Sequence, residues 1–213
     1  MKLLGLILCL FVLPAAAEPG GAPLAAALGV QIQKPVGDNL HFAHGSGVFL
    51  GGGLILTAAH VVKYNPQDPT VTVIMDGWKN AARIAAIAPN GLDLALLKVD
   101  PGEISAQRRA MSPVQLCPAP TVARQPVIVA ADGAVTLSVT ADAPLNSPAM
   151  TGDWTDILLT GYEQGASGGG IFDSDKGCLI GIIIIEGRSE AVKLTKFIPA
   201  AKIAPFLAAA ITN

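Results

Sequence analysis

Charge is scarce in this chain. Of its 213 residues only 14 are lysine or arginine and 16 are aspartate or glutamate, for a formal net charge of −2. Apart from Arg108-Arg109 the cations are scattered, so nucleic-acid binding has no electrostatic support. Charged residues make up 14% and hydrophobic residues 51%, which excludes a disordered chain and allows a sizeable core. The chain has no repeat at a fixed period and no low-complexity tract. Its apolar run near the N-terminus, Leu3 to Leu13, is too short to span a bilayer. Histidine is limited to His41, His44 and His60, so any chemistry that needs an imidazole must draw on these three. Nothing in the sequence calls for a cofactor or a metal.

What is present begins with a targeting pattern. Met1-Lys2 gives a positive start, Leu3–Leu13 an apolar run, and Ala15-Ala16-Ala17 an A-x-A cleavage site before Glu18. Residues 1–17 read as a signal peptide, and the expected location is periplasmic or secreted. Cys9 lies inside the apolar run and follows Leu8, where a lipid-anchor site wants a small residue. Cleavage leaves Cys117 and Cys178. An oxidising compartment lets them pair as a disulfide, and the alternative is two buried thiols acting as small hydrophobes.

Glu18 to Pro35 is rich in Ala, Gly and Pro and reads as a loose lead-in with a short strand at Val30-Gln31-Ile32. His41–Leu50 and Leu54–Thr57 flank Gly51-Gly52-Gly53, the pattern of a hairpin. Ala58–Val62 follows as a helical turn. Further strands are expected over Val71–Met75, Leu92–Val99, Val127–Ala130, Val135–Val139, Ile157–Thr160, Ile171-Phe172 and Cys178–Ile185, with Ala81–Ala88 a strand or a short helix. The run Ile182–Ile185 is apolar on both faces and should be buried on both. Phe197–Ile211 has a helical period, with Pro199 near its first turn and Ile203, Phe206, Leu207 and Ile211 on one face.

The fold class expected is all-β: two packed antiparallel six-stranded β-barrels with a C-terminal α-helix. The N-terminal barrel takes residues 18–107, a linker 108–120, and the C-terminal barrel with its helix 121–213. A ligand site belongs in the cleft between barrels.

Gly161–Ile171, GYEQGASGGGI, places Ser167 among five glycines, a run too flexible for a helix or strand centre. Such a run suits a tight loop whose backbone amides point inward. Taken alone it is as consistent with an inert turn. A serine hydroxyl becomes a nucleophile only beside a base, which in turn needs an orienting partner. His41 and His44 sit in a strand with no accompanying motif. His60 sits in GSGVFLGGGLILTAAHVV.

That string resembles the histidine motif of the trypsin-like (chymotrypsin-fold) serine peptidases, in which a glycine-containing hairpin leads to TAAH. Asp93, in GLDLALLKV, resembles that family's aspartate motif. Gly165-Ala166-Ser167-Gly168-Gly169 resembles its G-x-S-G-G motif. The order is His, Asp, Ser, with separations of 33 and 74 residues. These compact spacings are similar to those of bacterial exported and Deg/HtrA-type peptidase domains. The resemblance covers roughly residues 39 to 211 and leaves no span for an appended PDZ domain.

The resemblance implies a serine endopeptidase acting on protein or peptide substrates through Ser167, His60 and Asp93, with the backbone N–H groups of Gly165 and Ser167 as oxyanion hole. Gly161, Gln164, Ile184, Ile185 and Glu186 fall where that family builds its specificity pocket. Three departures stand out. Ala166 occupies the position of the aspartate that anchors a new N-terminus in the digestive enzymes, so no zymogen switch of that type is expected. The isoleucine run offers no hydroxyl to support Asp93, which leaves that support to solvent or to the backbone. Gly161 replaces a pocket-base carboxylate, which leaves a small or medium apolar preference, or a basic one if Glu186 reaches the pocket. The alternatives to a general endopeptidase are a protease-fold protein that acts mainly by binding, and a peptidase restricted to itself or one dedicated partner.

Overall fold

The structure is a computed structural model that describes residues 21–36, 41–63, 70–140, 156–158, 160–184 and 195–212. It opens with helix α1 (Ala22–Leu28), followed without a break by strand β1 (Gly29–Val36). The expected loose lead-in is therefore a helix and an eight-residue strand. Pro23 sits in the helix's first turn, where its missing N–H costs nothing, and the alanines that follow are the best helix formers. Burial of Ala25 and Leu28 anchors the helix on the protein.

Next come β2 (His41–Gly51), β3 (Leu54–Thr57), α2 (Ala59–Val62), β4 (Thr70–Met75), β5 (Trp78–Ile87) and β6 (Ala95–Val99). With β1 they close a six-stranded barrel in the order β1-β2-β3-β6-β5-β4. Ala81–Ala88, open between strand and helix from sequence, is strand, because Asn80 to Ala82 pair with Val73 to Val71 across β4. Ile32, Ile55, Val71, Val73 and Leu97 have no exposed surface and belong to one core.

A 3-10 turn (Pro101–Glu103) and α3 (Ala106–Arg109) lead to β7 (Pro126–Ala131), β8 (Ala134–Val139), β9 (Asp156–Leu158), β10 (Gly170–Asp173), β11 (Leu179–Ile184), β12 (Thr195–Pro199) and α4 (Ala200–Thr212). The second group forms a six-stranded sheet in the order β8-β7-β10-β11-β12-β9, and its two ends meet at the antiparallel bridge Thr140↔Leu158. Alternation along the strands, interrupted at Ile180 where the β10–β11 register shifts, divides the core. Val127, Val129, Ile171, Ile180, Ile183 and Phe197 form the inner cluster. Ile128, Phe172, Ile182 and Ile184 turn the other way and join the core shared with the first barrel. Strand β11 is thus buried on both faces, as its isoleucines predict.

Phe197 and Pro199 lie in β12, not in the terminal helix: Phe197 pairs with Ile183 and Pro199 with Gly181. Sheet pairing overrides the helical period here, and α4 begins only at Ala200. Ile203 and Phe206 are buried by α4 and Leu207 is partly buried, but Ile211 is 60% exposed because it lies in the helix's last turn. Cys117 and Cys178 are joined in a disulfide. It ties the connection between the two strand groups to the start of β11, where Cys117 N–H also donates to Leu179 O at 2.9 Å. Among the described residues no helix is long and apolar enough to cross a membrane.

Candidate active site

His60 reaches its place because β3 ends at Thr57 and the chain turns at once into α2. Ala58 and Ala59 are fully buried at this corner. β3 pairs with β6 so that Thr57 faces Ala95. That register sets the residues just beyond each strand end, His60 and Asp93, side by side. The approach to Asp93 is a tight turn with Asn90 and Gly91 both at positive φ (59° and 79°).

Asp93 and His60 meet twice. The His60 ring nitrogen Nδ1 lies 2.5 Å from Asp93 Oδ2, and the His60 backbone N–H donates to Asp93 Oδ1 at 2.8 Å. The Asp93 carbonyl accepts from Ala59 N–H at 3.2 Å. Both carboxylate oxygens therefore have a donor without any hydroxyl from the isoleucine strand. Burial alone would raise the Asp93 pKa. The ring hydrogen bond, the His60 charge, the His60 N–H and the charge of Lys63 outweigh it and hold the carboxyl below its usual value. With Nδ1 bonded to the carboxylate, Nε2 is the nitrogen left to take a proton. The His60 side chain is 41% exposed and that of Asp93 17%, so the ring can be reached from solvent while the carboxylate lies beneath it.

Ser167 is 6% exposed and lies in the loop before β10. Gly168 N–H donates to Ile183 O at 2.8 Å and Ile183 N–H to Gly169 O at 2.9 Å, so the loop is fastened to β11. On its other side it rests on the first barrel. Ser46 N–H donates to Ser167 O at 2.7 Å. A Cβ at Gly45 would strike the Val61 side chain and lie 3.2 Å from Ser167 O. Ser167 is thus seated beside α2, across Gly45 from the residue after His60. Among the described residues no hydrogen bond joins the Ser167 hydroxyl to His60, a looseness usual before substrate arrives.

Gly165 is buried with φ at +102°, a conformation that glycine adopts without strain. Among the described residues its N–H and that of Ser167 have no acceptor, whereas Ala166, Gly168 and Gly169 all donate within the fold. Two unused amides flanking one buried residue can stabilise a negative oxygen. Ala166 is buried and carries no charge. Of the residues expected at the pocket, Ile184 is buried in β11, Gly161 is partly buried and Gln164 is exposed. Ile185 and Glu186 lie outside the described residues, as do residues 1–20. A cavity of about 190 Å³ between Met75, Trp78, Ser105 and Arg108 is lined by none of His60, Asp93 and Ser167.

Sequence reasoning missed Ser46. It is fully buried, and its hydroxyl donates to Gly165 O at 2.7 Å while accepting from Asp132 N–H at 2.7 Å. The one signal was its position between two glycines in a strand, a mark of close backbone approach.

Two barrels with a histidine–carboxylate pair on one and a serine in a glycine loop on the other define the class of chymotrypsin-like serine peptidases. A family model described as "Trypsin-like peptidase domain" matches residues 45–182, more than half of the chain, and the chain belongs to that family. It is a serine peptidase, and its substrates are proteins or peptides. No curated protein matches it. Among solved structures it is similar to the active form of the Rv3671c protease from M. tuberculosis, at 21% identity with a TM-score of 0.69, covering 97% of this chain and 93% of that one. The inactive form of the same protease is similar to it at 21% identity and a TM-score of 0.67, over 92% and 95%. The HtrA-type protease AlgW with a tripeptide matches at 21% and 0.68, over 92% of this chain and 64% of that one. At these identities the likeness speaks for the fold.

Proposed function

We propose that the chain is an exported serine endopeptidase that works through Ser167, His60 and Asp93. The observation that carries this is the doubly bonded His60–Asp93 pair, set next to Gly45 and facing across it a serine loop in which two amides have no acceptor among the described residues. Ser167 Oγ attacks the peptide carbonyl carbon, and its proton passes to His60 Nε2. The carbonyl oxygen, now negative, is held by the N–H groups of Gly165 and Ser167. The C–N bond breaks as His60 returns the proton to the leaving amine. Water then enters, loses a proton to His60 and releases the acid, and Ser167 recovers its hydrogen. Asp93 keeps Nδ1 protonated and stabilises the imidazolium. Each oxyanion donor is worth about 10²–10³ in rate.

Residues 18–107 and 121–213 supply the two halves of the site across the connection at 108–120. Gly161 and the isoleucine wall favour a small or medium apolar residue before the scissile bond, or a basic one if Glu186 reaches the pocket. Export rests on the leader pattern of residues 1–17, and N-terminal sequencing of the mature protein should begin at Glu18. A fluorophosphonate probe and casein test the chemistry. Labelling at Ser167, lost in Ser167→Ala, together with casein turnover is the expected result. A folded sample that neither labels nor cleaves would instead identify a protein that acts by binding.

A further inference from the structure

The anchor that shapes the serine loop in the digestive relatives is an aspartate, and Ala166 stands in its place. We infer that Ser46 takes over this work from the other barrel: it is the positioning residue that sets the oxyanion hole. The inference rests on the reading of Gly165 and Ser167 as that hole.

Every polar group of Ser46 is committed. Its N–H donates to Ser167 O at 2.7 Å and its carbonyl accepts from Thr57 Oγ1 at 2.6 Å. Its hydroxyl accepts from Asp132 N–H, so its single proton is left to point at Gly165 O, 2.7 Å away. Ser46 thereby grips the loop on both sides of Ala166, at Gly165 and at Ser167. The hydroxyl matters most at Gly165. With no Cβ, that residue has little steric preference of its own, and its φ of +102° is held by what its carbonyl bonds to. That carbonyl shares its peptide plane with Ala166 N–H, between the two amides of the hole, so turning it away would change the backbone angles at Gly165 and Ala166 and re-aim Ser167 N–H relative to Gly165 N–H. Ser46 itself cannot shift to compensate. It is fully buried, and side chains at its flanking glycines would collide with Val61 and crowd Ile55. The hydroxyl also reaches Asp132, at the turn between β7 and β8, so one atom ties together the first barrel, the serine loop and the second sheet.

The experiment compares wild type, Ser46→Ala and Ser46→Cys, with active sites titrated by the fluorophosphonate probe. Ser46→Ala should lower kcat per titrated site by about 10–100-fold, with KM within about threefold of wild type. Affinity for a peptide boronic acid, whose tetrahedral oxygen occupies the hole, should fall by a similar factor while a product peptide binds as before. Ser46→Cys keeps the shape and a weak S–H donor and should recover part of the loss, and it supplies the reading if the alanine variant does not fold. A folded Ser46→Ala protein with kcat and boronate affinity within twofold of wild type overturns the inference while the peptidase reading stands, and where only Ser46→Cys folds, a Cys variant with no loss does the same. A wild-type protein that neither labels nor cleaves overturns both.

Discussion

Asp93 takes the His60 ring on one oxygen and the His60 backbone N–H on the other. The second bond is structural and the first is chemical, which separates their effects. Asp93→Asn should keep the backbone contact through its carbonyl oxygen and cost only about 1–2 kcal/mol of stability. It should lower kcat by about 10⁴, because an amide cannot stabilise the imidazolium or fix the tautomer. Urea unfolding and steady-state kinetics on one preparation check the two numbers. A loss of activity matched by unfolding would count against the separation.

Ser167→Ala and His60→Ala should each lower kcat by about 10⁴–10⁶, and the double variant should cost little more. Once either member is gone, the other has no partner to act on. Activity losses that add across the double variant would show that the two residues do not work as one unit.

The candidate site was legible because each of its proposed residues sits in a local pattern. TAAH, GLDLAL and GASGG mark strand ends and a glycine loop, features that near neighbours in sequence dictate. Ser46 was illegible for the opposite reason. Its hydroxyl bonds a carbonyl 119 residues away and an amide 86 residues away, and no short window contains them. The support for Asp93 was left open between solvent and backbone: the donor to its second oxygen is the histidine's own N–H, which carries no residue signature. In the fold, the pairing of Phe197 with Ile183 overrode a helical period that local pattern favoured. The helix at Ala22–Leu28 was misread in the other direction, since a Pro- and Ala-rich stretch without charges looks like a linker until its apolar face has something to cover.

The Cys117–Cys178 disulfide joins residues 61 apart, so it restricts a long stretch of the unfolded chain. Its removal in Cys117→Ser with Cys178→Ser should cost about 2–4 kcal/mol. Neither cysteine touches Ser167 or His60 through any hydrogen bond among the described residues. Below the midpoint of unfolding, kcat should therefore remain within about threefold of wild type. Chemical denaturation with and without reductant gives the stability, and a difference under about 0.5 kcal/mol would contradict the expectation.

Acid should destabilise the protein through three carboxylates. Burial would raise the pKa of Asp76, Asp93 and Asp173. Hydrogen bonds and charge outweigh it, from Arg108 and Ser105 at Asp76, from His60 and Lys63 at Asp93, and from the turn amides of Lys176 and Asp175 with Gln125 at Asp173. Each folded pKa therefore lies below the unfolded one. The stability they add is fully present above the unfolded value of about 3.9 and is lost as pH falls through the folded values. The melting temperature should fall steeply below about pH 4. Asp173→Asn should flatten that limb by removing one of the three titrating groups, and a limb as steep as wild type's would exclude Asp173 from it.

Gly168 offers the sharpest test of how the loop is seated. Its φ is +87°, and a Cβ there would run into the Ser46 carbonyl oxygen and the Thr57 hydroxyl while lying 3.0 Å from Ala58 N. All three neighbours are fixed in the first barrel, so the loop must move and not they. Gly168→Ala should lose about 1–3 kcal/mol from the backbone conformation alone, and more from the collision. Since Gly168 N–H also holds Ile183 O, the displacement should carry Ser167 away from α2. Hydrogen exchange read over residues 161–171 should rise, and phosphonate labelling should slow by at least about tenfold. A Gly168→Ala protein that labels at the wild-type rate with unchanged exchange would mean that the loop does not rest on Ser46 and Thr57.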